Sequence, residues 1–153
     1  MFIQKVIRAL ERHRVRYALV GGYAVALHGA VRGTVDIDIL VTINLKTFKN
    51  TDKALRSIGL VPRLPVSAEE MFGFREEYIK NRNLVAWSFI NPNNPTEMVD
   101  ILITENLKDI GTVRKTAFGM KIKVAAIDDL IRIKKNSGRK QDKEDIRALE
   151  KLR

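Results

Sequence analysis

Asp36 and Asp38 lie in the run Val35-Asp-Ile-Asp-Ile-Leu-Val41, whose alternation predicts a β-strand with Val35, Ile37, Ile39 and Val41 on one face. The pleat sends the two aspartates to the other face, close enough to share a cation. Paired carboxylates repel unless a divalent ion or strong donors neutralise them. The segment Met98-Val-Asp-Ile-Leu-Ile103 repeats the pattern, with Asp100 opposite Val99, Ile101 and Ile103. If the two strands are neighbours, their apolar faces join one core and Asp100 arrives beside Asp36 and Asp38. Upstream, Gly21-Gly22 separates a β-prone run, Tyr17 to Val20, from small apolar residues at 23–30 that read as a short buried helix. Such a turn offers free backbone N–H groups and the positive end of a helix dipole to a phosphate. A Gly-Gly turn or an Asp-x-Asp alone is a common surface feature. Three carboxylates on one sheet face beside a phosphate-binding turn make a two-metal site for phosphoryl or nucleotidyl transfer, and hard oxygen ligands completed by substrate phosphates point to two Mg²⁺ ions.

These residues need elements to position them. Phe2, Ile3, Val6, Ile7 and Leu10 recur at helical spacing. Leu45 to Ile58 reads as a second amphipathic helix closed by Gly59. Leu84–Ile90 and Glu97–Ile103 are strand-like runs joined by a turn-rich Asn91-Pro-Asn-Asn-Pro-Thr96, which predicts an antiparallel hairpin. A further strand pair is expected around Gly119, and helix from Ile127, broken at Gly138 and resumed from Asp142. Residues 60–82 carry no assignment. The 153 residues suit one domain, 45% of them hydrophobic, and the net charge of +10 favours an anionic partner such as a nucleotide, RNA or an acidic protein. No cysteine is present, which excludes disulfides, thiolate metal sites and cysteine nucleophiles. The longest uncharged stretch, Tyr17 to Val31, holds three glycines and a histidine and is no membrane span. The chain is therefore expected to be soluble, intracellular and cytoplasmic.

Gly-Gly, a short helix, Asp-x-Asp, and an Asp on a later strand together resemble the nucleotidyltransferase superfamily typified by DNA polymerase β. The fuller pattern, Gly21-Gly-x-Ala-x-x-x-x-Gly-x-x-Arg-x-Thr-x-Asp-x-Asp-Ile-Leu40, is similar to its small prokaryotic branch, which includes abortive-infection toxins and lincosamide or aminoglycoside nucleotidyltransferases. The ending, Lys134 followed by Arg139-x-x-Asp142-x-x-Asp145, resembles the close of the toxin-type members. The resemblance implies an α/β (α+β) fold, a mixed twisted sheet flanked by helices, with residues 1–153 as one nucleotidyltransferase domain and C-terminal helices from about 127. It implies that Gly21 and Gly22 hold a triphosphate, that Asp36 and Asp38 bind metal, and that Asp100 completes the metal site and helps deprotonate an attacking hydroxyl. Arg32 and Lys134 are the candidates for offsetting phosphate charge. Many members carry Ser at the position of Gly22, so a side-chain phosphate contact is lost here while the backbone one remains.

The implied reaction moves a nucleoside monophosphate from an NTP to a hydroxyl on RNA, tRNA or protein, in a system with a cognate antitoxin or toxin as partner. The charge disfavours a cationic drug as acceptor, although an antibiotic nucleotidyltransferase is the alternative. A second alternative is a non-catalytic nucleotide-binding or antitoxin module on the same fold. Other residues have plainer readings. Arg32 and Thr34 either bind phosphate or are solvated loop residues. Lys134 follows Ile127, Leu130 and Ile131 on one helical stripe, which aims it inward, where it needs an anion. Asp142 and Asp145 read as an N-cap acid and its follower, able also to hold Arg139 or Lys134. His13 and His28 read as structural, and Trp87, Phe89 and Tyr78 as packing residues rather than base-stacking ones.

Overall fold

The computed structural model describes residues 1–30, 33, 34 and 36–153. Helix α1 (Phe2–Arg12) buries Ile3, Val6, Ile7, Ala9 and Leu10 and leads into β1 (Tyr17–Val20), all four residues of which are buried. Then follow α2 (Gly21–Leu27), β2 (Ile37–Val41) and α3 (Leu45–Ser57), the last capped by Asn44, whose Oδ1 accepts the Thr47 N–H at 2.7 Å. The segment left unassigned by sequence folds as β3 (Val61–Pro62), α4 (Ala68–Gly73) and α5 (Arg75–Arg82). The predicted hairpin is present as β4 (Ala86–Asn91) and β5 (Asn94–Leu102). After one 3₁₀ turn come β6 (Thr112–Ala117), β7 (Met120–Ala125), α6 (Ile127–Ser137) and α7 (Lys140–Leu152).

The strands form one mixed sheet in the order β3-β4-β5-β2-β1-β7-β6. Its register explains how the residues sort. Val113, Val124, Leu19, Ile39, Ile101 and Trp87 are successive neighbours across six strands, so the pleat puts them on one face. Phe48 of α3 stacks on Trp87 at 5.3 Å between ring centroids, and Phe89 lies 4.7 Å from Trp87 on the same face. Helix α3 also packs against α1 and α4, so this side is the apolar core. Trp87 is 1% exposed, and among the described residues its indole Nε1 has no hydrogen-bond partner. Trp87 and Phe89 are thus core residues, and Tyr78 packs against Phe74 at the edge of the core.

One residue along the pleat, the opposite face carries a second row: Val20, Asp38, Asp100 and Ser88, each the register partner of the next. Helix α2 packs against β1, β2 and β7, and α6 packs against α7. The chemistry-bearing side chains are therefore on the face away from the α1–α3–α4 layer. No helix among the described residues is long and apolar enough to cross a membrane.

Candidate active site

Strand β2 delivers Asp38 and β5 delivers Asp100, and because the strands are parallel neighbours with Asp38 and Asp100 as register partners, both carboxylates leave the sheet on one side. The expected adjacency of two distant acids is thus present. Asp36 lies one residue before β2 and is exposed, so the strand begins later than the alternation predicted. It is near enough for its charge to act on Asp38. Among the described residues no three acidic, histidine or cysteine side chains are gathered tightly enough to form a metal-holding group by themselves. The pair is Asp38–Asp100, with Asp36 at its margin.

Beside the pair, Gly21 opens α2 at φ +66°, and a Cβ there would overlap the Asp38 carboxylate oxygen and come within 2.8 Å of its Cγ. Glycine is required on both counts: the left-handed backbone and the close approach. On the other flank Ser88 Oγ donates to Asp100 Oδ1 at 2.5 Å, a contact the sequence reading missed. Its only signal was the alternation Trp87-Ser-Phe89, which puts a hydroxyl on the polar face of β4.

By sequence, no protein family and no curated protein matches the chain. Solved structures do match in three dimensions. The antibiotic-resistance factor ANT(2″)-Ia superposes with a TM-score of 0.68 at 11% identity over 97% of this chain and 80% of its own. The lincosamide antibiotic adenylyltransferase LnuA, in its lincomycin-bound form, gives 0.66 at 16% identity over 99% and 96%. An antigenic nucleotidyltransferase-like protein from Paracoccidioides brasiliensis gives 0.57 at 16% identity over 99% and 74%. The chain has the nucleotidyltransferase fold.

Within this nucleotidyltransferase fold the electrostatics of Asp38 are set first by burial and then by its acidic neighbours. Burial pushes the Asp38 carboxyl up from 3.8 to about 7, and the neighbouring charges of Asp100 and Asp36 push in the same direction. A hydrogen bond to Asp100 adds to the rise, while Lys134 opposes it. Lys134 is thus near enough for its charge to act on Asp38. Lys134 is 5% exposed, and its Nζ lies 2.9 Å from Asp145 Oδ2 and 3.4 Å from Asp142 Oδ1. The anion an inward lysine requires is supplied by two acids of α7.

Asp142 does more than cap. The helix N-cap is Arg139, and Asp142, at the third helical position, accepts the Arg139 N–H at 3.2 Å and its Nε at 3.0 Å. The expected role of Asp142 as the N-cap itself is corrected accordingly. Burial resists its ionisation, but Arg139, Ser137 and Lys134 together outweigh that and hold its carboxyl down at about 2. Arg139 feels the charge of Asp38 as well as that of Asp142. Of the other candidates, Gly22 is buried in the first turn of α2, and Thr34 is half-buried with its Oγ1 donating to the Asp36 carbonyl at 3.3 Å. Arg32 and Val35 lie outside the described residues. His28 Nε2 contacts the Ala125 carbonyl at 2.8 Å and His13 Nδ1 the Ala9 carbonyl at 2.9 Å, the structural roles expected.

Proposed function

We propose that this chain is a Mg²⁺-dependent nucleotidyltransferase that transfers a nucleoside monophosphate from an NTP to a hydroxyl and releases pyrophosphate. The observation that carries this reading is the Asp38–Asp100 pair, in register on adjacent parallel strands against Gly21, within a fold shared with nucleotidyltransferases. The donor set suits a hard divalent cation. Burial, and after it the charges of Asp100 and Asp36, raise the Asp38 carboxyl to about 7, and a cation would offset both effects. Asp36, Asp38 and Asp100 would hold Mg²⁺, which supplies charge neutralisation to the phosphates when bound.

The protein's own groups then divide the work. Gly21 and Gly22 bring backbone close to the triphosphate. The acceptor oxygen forms a bond to the α-phosphorus, the bond to the β-phosphate oxygen breaks, and the hydroxyl proton passes to Asp100. Ser88 fixes one oxygen of Asp100. Lys134, held in place by Asp142 and Asp145, would offer its ammonium to the phosphates, with Arg32 and Thr34 as further phosphate contacts. The net charge of +10 favours RNA, tRNA or an acidic protein as the acceptor, and the Lys134…Asp145 ending supports a place in a toxin–antitoxin pair. The second reading, transfer to an antibiotic, is favoured by the likeness to LnuA and to ANT(2″)-Ia, the latter also solved in complex with adenylyl-2″-tobramycin.

The test is to incubate the protein with each α-labelled NTP, Mg²⁺ and total RNA, lysate protein or lincomycin in turn, and to follow label transfer. Transfer that needs Mg²⁺ and disappears in Asp38→Asn supports the proposal. No pyrophosphate release with any NTP and acceptor would leave the non-catalytic binding module as the better reading.

A further inference from the structure

The face that bears the carboxylates continues past Asp100 as an apolar shelf. Ser88 and Ile90 alternate with Trp87 and Phe89 along β4, so both point away from the apolar core. The register lines up Val61, Ile90 and Met98, with Asp36 next in line one residue before β2. A second row, two residues along, runs Arg63, Ser88, Asp100 and Asp38, because the Arg63 N–H donates to the Ser88 carbonyl at 2.9 Å and extends the β3–β4 ladder. Val61 is 38% exposed, and Ile90 and Met98 are half-buried. Among the described residues none of the three belongs to the core or packs against it. Apolar side chains left against water beside a cleft favour an occupant with an apolar surface.

Position decides which reactant lies there. Gly21 stands on the β1 side of Asp38, and the shelf lies on the far side of Asp100, across β4 and β3. Attacking and leaving oxygens are roughly in line in phosphoryl transfer, so with pyrophosphate held at the glycine turn the acceptor enters over the shelf. Spacing decides what that acceptor carries. The Ile90–Met98 row lies about 7 Å from the Ser88–Asp100 row. A tyrosine hydroxyl is bonded directly to its ring and falls short of that gap. Serine and threonine have no ring, whereas a nucleoside sets a ribose between its hydroxyl and its base. Arg63 is exposed and, among the described residues, holds no ion pair. It stands two strands, about 10 Å, from Asp100, and its long side chain can carry a guanidinium to a phosphate attached to the hydroxyl-bearing sugar. The same cation repels a polycationic aminosugar.

We propose that Ile90 and Met98, with Val61 beside them, form the acceptor subsite of this cleft and seat the terminal nucleobase of an RNA strand, whose hydroxyl meets Asp100 and whose last phosphate meets Arg63. The direction of entry rests on the nucleotidyl-transfer reading; the seating of a base on the shelf is measured without it.

Met98 reports on the shelf directly. In the full-length protein isotopically labelled at the methionine ε-methyl groups, Met98 is one of four signals and is assigned with Met98→Leu, while the buried Met71 reads the core side. With Mg²⁺ and the α,β-methylene analogue of each NTP in turn, titration with the dinucleotide ApA should move Met98 upfield, as a base laid over its methyl does, and leave Met71 in place. Ile90→Ser combined with Met98→Ser should weaken ApA binding at least about tenfold. Arg63→Gln should weaken it by up to about fivefold and leave adenosine, which lacks the phosphate, unchanged. Affinities come from calorimetry, and circular dichroism checks that each variant is folded. Movement of Met98 by an NTP analogue alone would give the shelf to the donor base. Movement by tyrosinamide or lincomycin and not by ApA would give it to a protein or antibiotic acceptor. Either result, or a Met98 signal that ApA does not move with or without the analogues, would overturn the proposal. Absence of pyrophosphate release while Met98 still answers ApA would instead count against the catalytic reading alone.

Discussion

Replacing Asp38 by Asn should stabilise the metal-free protein, and the size of the effect follows from how far burial and the neighbouring acids raise its carboxyl. The Asp38 carboxyl sits at about 7 in the folded chain against 3.8 for an exposed aspartate, chiefly through burial and then through Asp100 and Asp36. Between those two pH values the folded state keeps a proton that the unfolded state has lost. Stability therefore falls as pH rises from about 4 to about 7 and levels off above, with a total of about 4 kcal/mol at 1.36 kcal/mol per pH unit. The Asp38→Asn substitution removes the charge and keeps a donor for Asp100, so in EDTA at pH 8 the variant should be more stable than the wild type by up to about 4 kcal/mol. For a chain of this size that is roughly 8–16 °C in Tm. At pH 4 the two proteins should melt together. Mg²⁺ should raise the wild-type Tm at pH 8 and leave the variant nearly unmoved, because ligation replaces the proton. Thermal melts by circular dichroism at four pH values, with EDTA or Mg²⁺, make the comparison. A wild-type Tm that does not fall between pH 4 and 8, or an Asp38→Asn variant no more stable than wild type at pH 8, would refute the reasoning.

Ser88→Ala should lower kcat for transfer at least tenfold, the worth of one hydrogen bond to a charged group, with KM for the NTP unchanged and Ser88→Thr restoring the rate; steady-state pyrophosphate release reads both. Gly21→Ala should cost at least about 1–2 kcal/mol for the left-handed backbone alone, and more for the overlap with Asp38, so a urea midpoint equal to the wild type would show that Gly21 does not pack as described. Lys134→Met removes the ammonium that Asp142 and Asp145 share, leaving Arg139 on the first and Gln141 on the second, and should destabilise by up to about 3–5 kcal/mol at pH 7, measured by urea denaturation, with part of the loss recovered as pH falls and the acids protonate.

Much of the site was legible because alternation along a strand is strict. Asp100 could be placed on the face of Asp38 from Val99, Ile101 and Ile103 alone, and the glycine turn was visible as the end of Tyr17–Val20. The helix over 75–82 was not legible, since α5 has no buried residue and therefore no apolar period to detect. For α4 a signal did exist in Ser67-x-x-Glu70, a capping box with both hydrogen bonds formed. Ser88 looked like any hydroxyl on a half-buried strand; its meaning depends on the β4–β5 register that puts it opposite Asp100. The Lys134–Asp142–Asp145 cluster needed the packing of α6 on α7, because spacing along one helix gives capping chemistry a sufficient reason for both acids.

Trp87 is the single tryptophan of the chain, sealed between Phe48 and Phe89, and its chain neighbour Ser88 grips Asp100 through the other side of the strand. The molecule thus carries a built-in optical reporter one peptide unit behind its carboxylates. Its emission should be blue-shifted, as befits an indole out of contact with water and with no partner on its N–H. Any ligand that pulls on Asp100 tugs the same strand, so intrinsic fluorescence offers a label-free titration of the site from the dry side of the sheet.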